Sequence, residues 1–406
     1  MAKIWVTDTS GTTSGTSRVP FLRGILTSSL TDAGLSFEDA YQASSELRQG
    51  LEELNEISRD DLRQRTTEYL ESKYGKEAAA AYAARSQQET TVQVRGQDGK
   101  LAPFSRNQHL RCLESCGLND EQASSVSNGI LRTLAEQAIQ EILSCDLGRL
   151  TYDYLREHFG KKIAHRYLVW VAHARTGKPL VLLIGGATGT GKSIIATEVA
   201  HRLGIVRTQS SDMLREVMRM MIPKRLLPVL HTSSFNAGVS LPGTGGNGDD
   251  YESRLADGYL TQSELLSVPC EAVIQRALRE QVSVILEGVH LHPAMLERIE
   301  ASGSAHVVMV MLAVLERDQL KERLAHRLQE APDRQESGHL DQFDKIWSLQ
   351  SFLLSEADRS GVPILVNDDK DKVTNAIMAT LIDTLAKDFD QTPEQVFARP
   401  DDATET

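Results

Sequence analysis

The sequence predicts an α/β protein: a parallel β-sheet with flanking helices, preceded by a mainly helical N-terminal region that is duplicated. Two observations support this fold class. From residue 178 onward, apolar β-prone runs alternate with amphipathic helical segments, which is typical of parallel strands joined by crossover helices. Before residue 176, similar segments recur at a nearly constant spacing, which indicates one unit present twice. At 406 residues, the chain is long enough for two or three compact domains.

Composition narrows the class of protein. Hydrophobic residues make up 40% and charged residues 25% of the chain, the usual balance for a protein that buries a core. The formal net charge of -12 disfavours an obligate nucleic-acid binder, because neutralising phosphates needs a basic surface. Four scattered cysteines lack the spacing of a metal site, and no run of 18 apolar residues occurs. We therefore expect a cytoplasmic protein with neither nucleic-acid nor membrane partners.

The N-terminal repeat is the first element along the chain. Five residue pairs match in register: Pro20 and Pro103, Gly34 and Gly117, Tyr69 and Tyr154, Gly75 and Gly160, and Tyr82 and Tyr167. The offset is 83 for the first two pairs and 85 for the other three, so it drifts by only two residues. Chance similarity between two helical bundles is the weaker alternative. We predict copies at 1–86 and 88–176, each opening with a short strand (3–7 and 90–94), through which two chains could form a homo-oligomer.

The second part of the chain, over 178–390, has the pattern of an α/β domain with a parallel sheet. Strands are predicted at 180–184, 205–208, 282–286, 306–312 and 363–366. Helices are predicted at 192–203, 213–222, 260–280, 293–301, 316–329, 340–360 and 370–387. Near-continuous apolar strands indicate burial on both faces of the sheet. We expect a flexible loop over 241–250 and an acidic tail over 391–406 that is disordered from Pro393.

A glycine-rich turn after the first of these strands carries the strongest functional signal. It fits GxxxxGK[ST] at every fixed position and consists of Gly186, Ala187, Thr188, Gly189, Thr190, Gly191, Lys192 and Ser193. Glycines allow positive φ, so backbone N–H groups converge on phosphates at the positive end of the following helix. Together with the alternating strands and helices, this motif predicts a P-loop NTPase kinase domain over 178–390. We predict ATP or GTP binding, with Lys192 on the β and γ phosphates and Ser193 as a ligand of Mg²⁺.

The helix after the second strand carries the candidate acceptor site. Asp212 is predicted to reach the crevice as a base or metal ligand, and its alternative role is the N-cap of a helix beginning at Met213. Arg215 and Arg219 are four residues apart and therefore share a helical face, where forked donors suit an anionic group. Salt bridging to Glu216 is the alternative. The apolar stripe expected to be buried contains Leu214, Val217, Met218 and Met221.

The third strand is followed by a second set of candidates. Glu287 lies at the predicted strand end, where the carboxyl edge of a parallel sheet opens onto a ligand crevice, so we expect it beside the metal. A solvated strand end is the alternative. His290 and His292 flank the following turn and are candidate substrate contacts, although a lone histidine is more often structural.

Arginines on the helix after the fourth strand form a candidate lid. Arg323 and Arg327 lie on this helix, and Arg334 follows between the helix breakers Pro332 and Gly338. Phosphoryl-transfer enzymes close such segments over the transferred group to exclude water and stabilise charge. An exposed amphipathic helix would show the same alternation of charges, so that reading stays open.

Four segments of this part of the chain together resemble the 2-phosphoglycerate kinase family. They are 184–193, 211–219, 232–235 and 286–293, and the resemblance covers most of 160–385. The phosphate loop marks a large superfamily, whereas the Asp212-to-Arg219 string and the Glu287-to-His290 string are far more specific. The resemblance implies ATP- and Mg²⁺-dependent phosphorylation of 2-phosphoglycerate to 2,3-bisphosphoglycerate. Plant relatives are linked to inositol phosphate metabolism, so another phosphorylated acid or an inositol phosphate is an alternative acceptor.

The repeated N-terminal unit resembles an ATP-cone, a small nucleotide-sensing domain. An ATP-cone usually opens with a Lys-Arg-Asp-Gly turn, and this chain departs from that pattern, with Thr-Asp-Thr-Ser at 7–10 and Arg-Gly-Gln-Asp-Gly at 95–99. A structural or dimerising role for the copies is therefore as open as nucleotide binding. The rival to a kinase is a regulatory protein in which nucleotide occupancy switches these copies and no small acceptor exists.

Overall fold

A computed structural model describes residues 4–8, 17–21, 23–51, 54, 56–87, 92–241, 251–300, 303–330 and 342–399. Most of the loop predicted over 241–250, together with Arg334 and residues 400–406 of the tail, lies outside the described residues. The chain forms two compact units, one of residues 1–104 with 131–143 and the other of residues 105–130 with 144–406. The boundaries drawn from the sequence repeat describe copies rather than compact units and stay a prediction.

The first unit contains two three-stranded sheets of identical topology. Their strands are β1 (Trp5–Asp8), β2 (Ser17–Pro20), β3 (Glu56–Ser58), β4 (Gln93–Arg95), β5 (Leu101–Pro103) and β6 (Glu141–Leu143). The strand orders are β2-β1-β3 and β5-β4-β6. In both sheets the central strand pairs antiparallel with the next strand in the chain and parallel with the third.

Within the described residues, eight helices are interleaved with these strands along the sequence. They are α1 (Arg23–Asp32), α2 (Phe37–Gln49), α3 (Arg59–Tyr74), α4 (Lys76–Gln87), α5 (Arg106–Ser115), α6 (Asp120–Glu136), α7 (Ser144–His158) and α8 (Lys161–Thr176). Helices α1 to α4 enclose an apolar cluster that includes Leu30, Leu70 and Tyr82. In the second unit, His109 of α5 is buried, with ring nitrogens 3.2 Å from the hydroxyls of Ser127 and Thr151, and burial lowers its pKa to about 4.

The second unit is built on a five-stranded parallel sheet, as the sequence predicts. Its strands are β7 (Leu180–Gly186), β8 (Arg207–Ser210), β9 (Val284–Gly288), β10 (His306–Ala313) and β11 (Ile364–Val366). They lie in the order β11-β10-β7-β9-β8. Alternate side chains of β7 contribute to two separate cores, one on each face of the sheet. The chain moves from β7 to the edge strand β8 and later to β10 on the other side, so the carboxyl end of β7 is a topological switch point.

Two strands begin two residues later than predicted. Gly204 ends the preceding helix in the left-handed conformation, and Val206 is 95% exposed, so Ile205 and Val206 belong to a turn before β8. Similarly, Val282 N donates to Ala277 O at the end of the helix before β9. The prediction that every strand is apolar and buried on both faces is wrong for the two edge strands of this sheet. Strand β8 carries polar, partly exposed residues, and the apolar residues Ile364 and Val366 of β11 are exposed.

Helices cover both faces of this sheet. They are α9 (Lys192–Leu203), α10 (Ser211–Met221), α11 (Tyr251–Arg279), α12 (Met295–Glu300), α13 (Arg317–Glu330), α14 (Phe343–Arg359), α15 (Lys370–Leu385) and α16 (Pro393–Val396). Short 3₁₀ segments occur at Pro228–His231, Ser234–Ser240 and Ala386–Asp388. Helices α11, α12 and α14 contribute to one core, and α9 and α15 to the other. Within the described ranges, no helix is both long and apolar enough to cross a membrane.

The C-terminal segment up to residue 399 is ordered, contrary to the prediction. Thr392 caps α16 with a reciprocal capping box, and Phe397 is buried. Arg399 forms a two-pronged ion pair with Asp146 of α7, at 2.9 and 3.1 Å. The prediction of disorder rested on acidic composition and did not take account of Val396 and Phe397, both of which are buried.

Candidate functional site

The phosphate loop connects β7 to α9 at the carboxyl edge of the sheet. Gly186 and Gly191 have φ angles of 143° and 85°. A Cβ added to Gly186 would lie 2.6 Å from the carbonyl oxygen of Leu312, and one added to Gly191 would overlap the side chain of Asn367. Both positions therefore need glycine for backbone conformation and for space. The loop leads into the N-terminus of α9, where amide groups point toward a bound anion.

Lys192 is folded back over this loop. Its Nζ donates to Ala187 O at 2.7 Å, and the Thr190 hydroxyl donates to the same carbonyl oxygen at 2.9 Å. Asn367, which follows β11, donates its Nδ2 to Thr190 O at 2.8 Å and so supports the loop from the side. The sequence analysis missed Asn367, although its place directly after a strand of the parallel sheet was a usable signal.

Ser193 and Glu287 meet beside the loop. Ser193 Oγ donates to Glu287 Oε1 at 3.0 Å, and Glu287 is only 8% exposed. Glu287 lies within β9 rather than after it, opposite Ile184 of β7 and Ser210 of β8. Two oxygen donors at the end of a sheet suit a hard cation such as Mg²⁺, which takes one or two carboxylates and completes its shell with phosphate oxygens and water. Among the described residues, no group of three or more His, Cys, Asp or Glu could hold a metal by itself.

Helix α13 packs directly on the phosphate loop. A Cβ on Gly189 would lie 2.9 Å from Leu320 and 3.0 Å from Leu324, two buried residues of this helix. Arg323, between them, donates its Nη2 to Asn367 O at 2.6 Å, and burial lowers its pKa. Arg327 belongs to the same helix, but its side chain lies outside the described residues. The predicted lid arginine at 323 is thus already beside the loop.

Helix α10 begins at Ser211, two residues earlier than predicted. Ser210, not Asp212, is the N-cap, and its hydroxyl accepts from the N–H of Asp212. Asp212 is therefore in the first turn of the helix, with a side chain that is 54% exposed. Its Oδ1 is 3.7 Å from His290 Nδ1. The capping alternative for Asp212 is excluded by this geometry.

Both predicted acceptor arginines lie on the inner face of α10. Arg215 Nη1 donates to Thr232 O at 3.0 Å. Both arginines also pair with Glu216, closely for Arg219 at 2.6 Å and more loosely for Arg215 at 3.8 Å, so the salt-bridge alternative is present beside the inward contacts. The Nε atoms of both arginines are buried without a hydrogen-bond partner among the described residues. The predicted apolar stripe is wrong for Val217 and Met221, which are 54% and 77% exposed because the arginines face inward, whereas Leu214 packs against the core.

His290 is fully enclosed and does not face a ligand space. Its Nδ1 is 3.0 Å from Ser211 Oγ, and its Nε2 is 3.0 Å from Ser234 Oγ and 3.1 Å from Gln262 Oε1. Burial lowers its pKa to about 4. The predicted direct contact of His290 with a substrate is therefore wrong, because both ring nitrogens are hydrogen-bonded to protein groups. Ser234 and Gln262 had not been singled out as functional residues from the sequence.

The strand order, the phosphate loop and the adjoining arginines define a phosphotransferase of the P-loop class. No protein-family model matches the chain. It is 33% identical over 293 residues to a 2-phosphoglycerate kinase of Pyrococcus furiosus, covering 72% of this chain and 94% of the relative. It is 34% identical over 292 residues to a 2-phosphoglycerate kinase of Methanocaldococcus jannaschii, covering 71% and 91%. The chain belongs to the 2-phosphoglycerate kinase family.

One solved structure can be set beside this result. A gluconokinase from Sinorhizobium meliloti is similar to 52% of this chain and 95% of its own, with 15% sequence identity and a TM-score of 0.32. At that TM-score the likeness adds nothing to the strand order described above.

Proposed function

We propose that this chain transfers the γ-phosphoryl group of ATP to the free hydroxyl of 2-phosphoglycerate and releases ADP and 2,3-bisphosphoglycerate. The observation that carries the proposal is the pair of anion-binding arrangements at one sheet edge: the phosphate loop, and beside it the inward-facing Arg215 and Arg219. 2-Phosphoglycerate carries a phosphate and a carboxylate, and guanidinium groups match both with two parallel donors. The names of the relatives support the same acceptor.

On the donor side, the proposal assigns the triphosphate to the loop from Gly186 to Ser193. Lys192 exchanges its bond to Ala187 O for the β and γ phosphate oxygens, and the loop amides contact the remaining oxygens. Ser193 and Glu287 would hold Mg²⁺, which supplies charge neutralisation to the phosphates when bound. The existing hydrogen bond between these two side chains keeps both oxygen donors at the mouth of the loop.

On the acceptor side, Arg215 and Arg219 hold the phosphate or carboxylate of 2-phosphoglycerate, and Asp212 orients its hydroxyl. The hydroxyl oxygen forms a bond to the γ-phosphorus as the bond from that phosphorus to the β,γ-bridging oxygen breaks. Asp212 takes the proton of the hydroxyl. Because phosphoryl transfer passes through a loose transition state, positioning contributes more than the strength of this base.

Arg323 completes the proposed site from the other side of the loop. Its guanidinium lies next to Asn367 and Gly191 and needs only a side-chain rotation to reach a γ-phosphoryl group. A guanidinium in this place stabilises the negative charge that spreads over the transferred oxygens. Arg327, on the same helix, is the second candidate for this role.

A transfer assay with γ-labelled ATP tests the proposal. The chain is incubated with 2-phosphoglycerate, with other phosphorylated acids and with inositol phosphates, and the labelled products are separated. We expect label on 2-phosphoglycerate, and its loss in Lys192→Ala. Label on another acceptor alone would replace the acceptor in the proposal, and label only in inorganic phosphate would favour the nucleotide-dependent regulator.

For the N-terminal region, we propose that the β1–α4 and β4–α8 segments are two copies of one ATP-cone-like unit. Their sheets share strand order and pairing sense. Glycines at equivalent positions also share backbone conformation: φ is 102° and 91° at Gly34 and Gly117, and 92° and 86° at Gly75 and Gly160. Nucleotide titration of Lys192→Ala, whose catalytic loop is impaired, tests whether either copy binds ATP, and sedimentation tests whether the copies join two chains.

A further inference from the structure

We infer that His290 is a positioning residue of the acceptor side: in a single tautomer, it joins the start of α10 to the segment 229–236 and thereby sets Asp212 and Arg215. The inference rests on the proposed function and goes beyond it by assigning the acceptor geometry to a residue that touches no substrate. Three neighbouring elements meet at this ring, namely α10 through Ser211, the 3₁₀ segment through Ser234 and α11 through Gln262.

The tautomer of His290 follows from the side chain of Gln262. Gln262 Nε2 donates to two backbone carbonyl oxygens, those of Val229 at 2.6 Å and Thr232 at 3.0 Å. A flipped amide would place its oxygen against both carbonyl oxygens, so Oε1 must be the atom that faces His290. Because Oε1 accepts only, His290 Nε2 carries the hydrogen and Nδ1 carries the lone pair. The Ser211 hydroxyl must then donate to Nδ1.

The same bonds connect His290 to the proposed acceptor arginine. Thr232 O accepts from Gln262 and also from Arg215 Nη1. A change at the ring therefore reaches the guanidinium of Arg215 through one glutamine and one backbone carbonyl. Buried polar networks of this kind specify one arrangement when every member is satisfied, and they lose it when one member is removed.

Gly288 connects the network to the metal side. A Cβ on Gly288 would overlap the Ser211 hydroxyl, and its φ of 154° lies at the limit of what other residues adopt. Ser211 thus fills the space next to Gly288, directly after Glu287, and its neighbour Asp212 is placed at the first turn of α10. The Glu-Gly-Val-His string, which begins in β9 and ends in the turn after it, therefore places the carboxylate of Glu287 and makes room for Ser211. It also supplies the His290 ring that orients the Ser211 hydroxyl.

Nδ1 accepts from Ser211 and offers no hydrogen to Asp212, whose Oδ1 lies 3.7 Å away. A ring with hydrogen on Nδ1 would instead attract the carboxylate of Asp212 and turn it from the acceptor hydroxyl. The lowered pKa of the buried ring agrees with a neutral imidazole at physiological pH.

Steady-state kinetics of His290→Ala and His290→Gln test this inference. We expect kcat/KM for 2-phosphoglycerate to fall by about 10²-fold in His290→Ala, the effect of misplacing reacting groups by about 1 Å, while KM for ATP stays within about twofold. His290→Gln keeps a donor for Gln262 and Ser234 and should recover part of the loss. Ser234→Ala, a milder change, should show the same acceptor-specific pattern even if His290→Ala does not fold.

The matched control is His173→Asn. His173 is a partly buried histidine of α8, and its ring centroid lies 5.1 Å from that of His306. It should leave both KM values unchanged. Equal losses for ATP and acceptor in His290→Ala and Ser234→Ala, or no loss in either, would overturn the inference while wild-type transfer still supports the function. Absence of wild-type transfer to any acceptor would overturn both.

Long-range ¹H–¹⁵N spectra of histidine-labelled protein give a readout that does not need turnover. The His290 resonances, assigned by their disappearance in His290→Gln, should report hydrogen on Nε2 at neutral pH. Hydrogen on Nδ1 would contradict the network described above and overturn the inference.

Discussion

The proposed site at the carboxyl edge of the five-stranded sheet has a donor half and an acceptor half, and the two are built differently. The donor half, around the phosphate loop, uses backbone: glycines with positive φ, a helix N-terminus and carbonyl groups that hold Lys192 and Thr190. The acceptor half uses side chains, with His290 at the centre of a buried network that ends at Arg215. The donor half is therefore specified by a short continuous segment, whereas the acceptor half forms only when the whole domain is folded.

This contrast predicts which changes affect one half alone. Backbone-built sites tolerate changes in distant side chains, because their donors belong to a single turn. Side-chain networks transmit a change from one element to another, because each member is held by its neighbours. Variants in the donor half should therefore change the use of ATP, and variants in the acceptor half should change the use of 2-phosphoglycerate.

The largest effect is expected for Lys192→Ala in the donor half. Removing a charged donor aimed at the transferred group typically costs about 10²–10³-fold in kcat. Lys178→Ala, which changes a lysine just before β7 at the opposite end of the strand, is the control and should leave kcat unchanged. Kinetics with each substrate varied in turn give the measurement. An unchanged kcat in Lys192→Ala would show that this lysine takes no part in catalysis.

Arg215→Ala should produce the largest effect in the acceptor half. Truncating one member of a buried, hydrogen-bonded charged contact costs several kcal/mol, so we expect about a 10²-fold loss of kcat/KM for 2-phosphoglycerate with little change in KM for ATP. Arg219→Ala should cost less, about 10-fold, because its side chain is 37% exposed compared with 18% for Arg215. Arg215→Lys should recover little, since an ammonium lacks the forked geometry. An equal loss of kcat/KM for ATP and for 2-phosphoglycerate would contradict the division into a donor half and an acceptor half.

The same contrast explains what could be predicted from sequence. The five-stranded sheet, the loop from Gly186 to Ser193 and the place of Glu287 follow from local patterns, because each is encoded within one strand and the turn after it. The contacts of His290 span 28 to 79 residues of sequence, and no local pattern identifies Ser234 or Gln262 as its partners. The rotation of α10 was mispredicted for the same reason. Hydrophobicity favoured burying Val217 and Met221, but the helix turns its arginines inward.

Gly258→Ala should disturb the acceptor half by displacing the Ser234–Ser240 segment. A Cβ on Gly258 of α11 would overlap the backbone of Gly238, so this close crossing holds the Ser234–Ser240 segment against the helix. Overpacking of this kind typically destabilises by about 1–3 kcal/mol, and the shift of Ser234 should raise KM for 2-phosphoglycerate severalfold. Gly24→Ala is the control, because a Cβ there meets nothing within 4 Å. An unchanged acceptor KM in Gly258→Ala would show that this segment does not depend on the crossing.

The smallest effect is expected from acid, acting on the acceptor half through His290. Burial lowers the pKa of the ring from 6.5 to about 4; of the charged groups facing the ring, Asp212 opposes this shift, whereas Arg215 and Lys192 add to it. In the unfolded chain the imidazole has its ordinary pKa, so between pH 6.5 and 4 unfolding takes up a proton. The contribution to stability is therefore complete above pH 6.5 and is lost as the pH falls toward 4.

Urea denaturation should show that the free energy of unfolding falls by about 1–2 kcal/mol more in wild type than in His290→Asn between pH 7.5 and 5. His158→Asn, which changes an exposed residue of α7, should behave as wild type. Equal losses in wild type and His290→Asn would mean that the network does not require a neutral ring, and the acceptor half would then be no more sensitive to acid than the donor half.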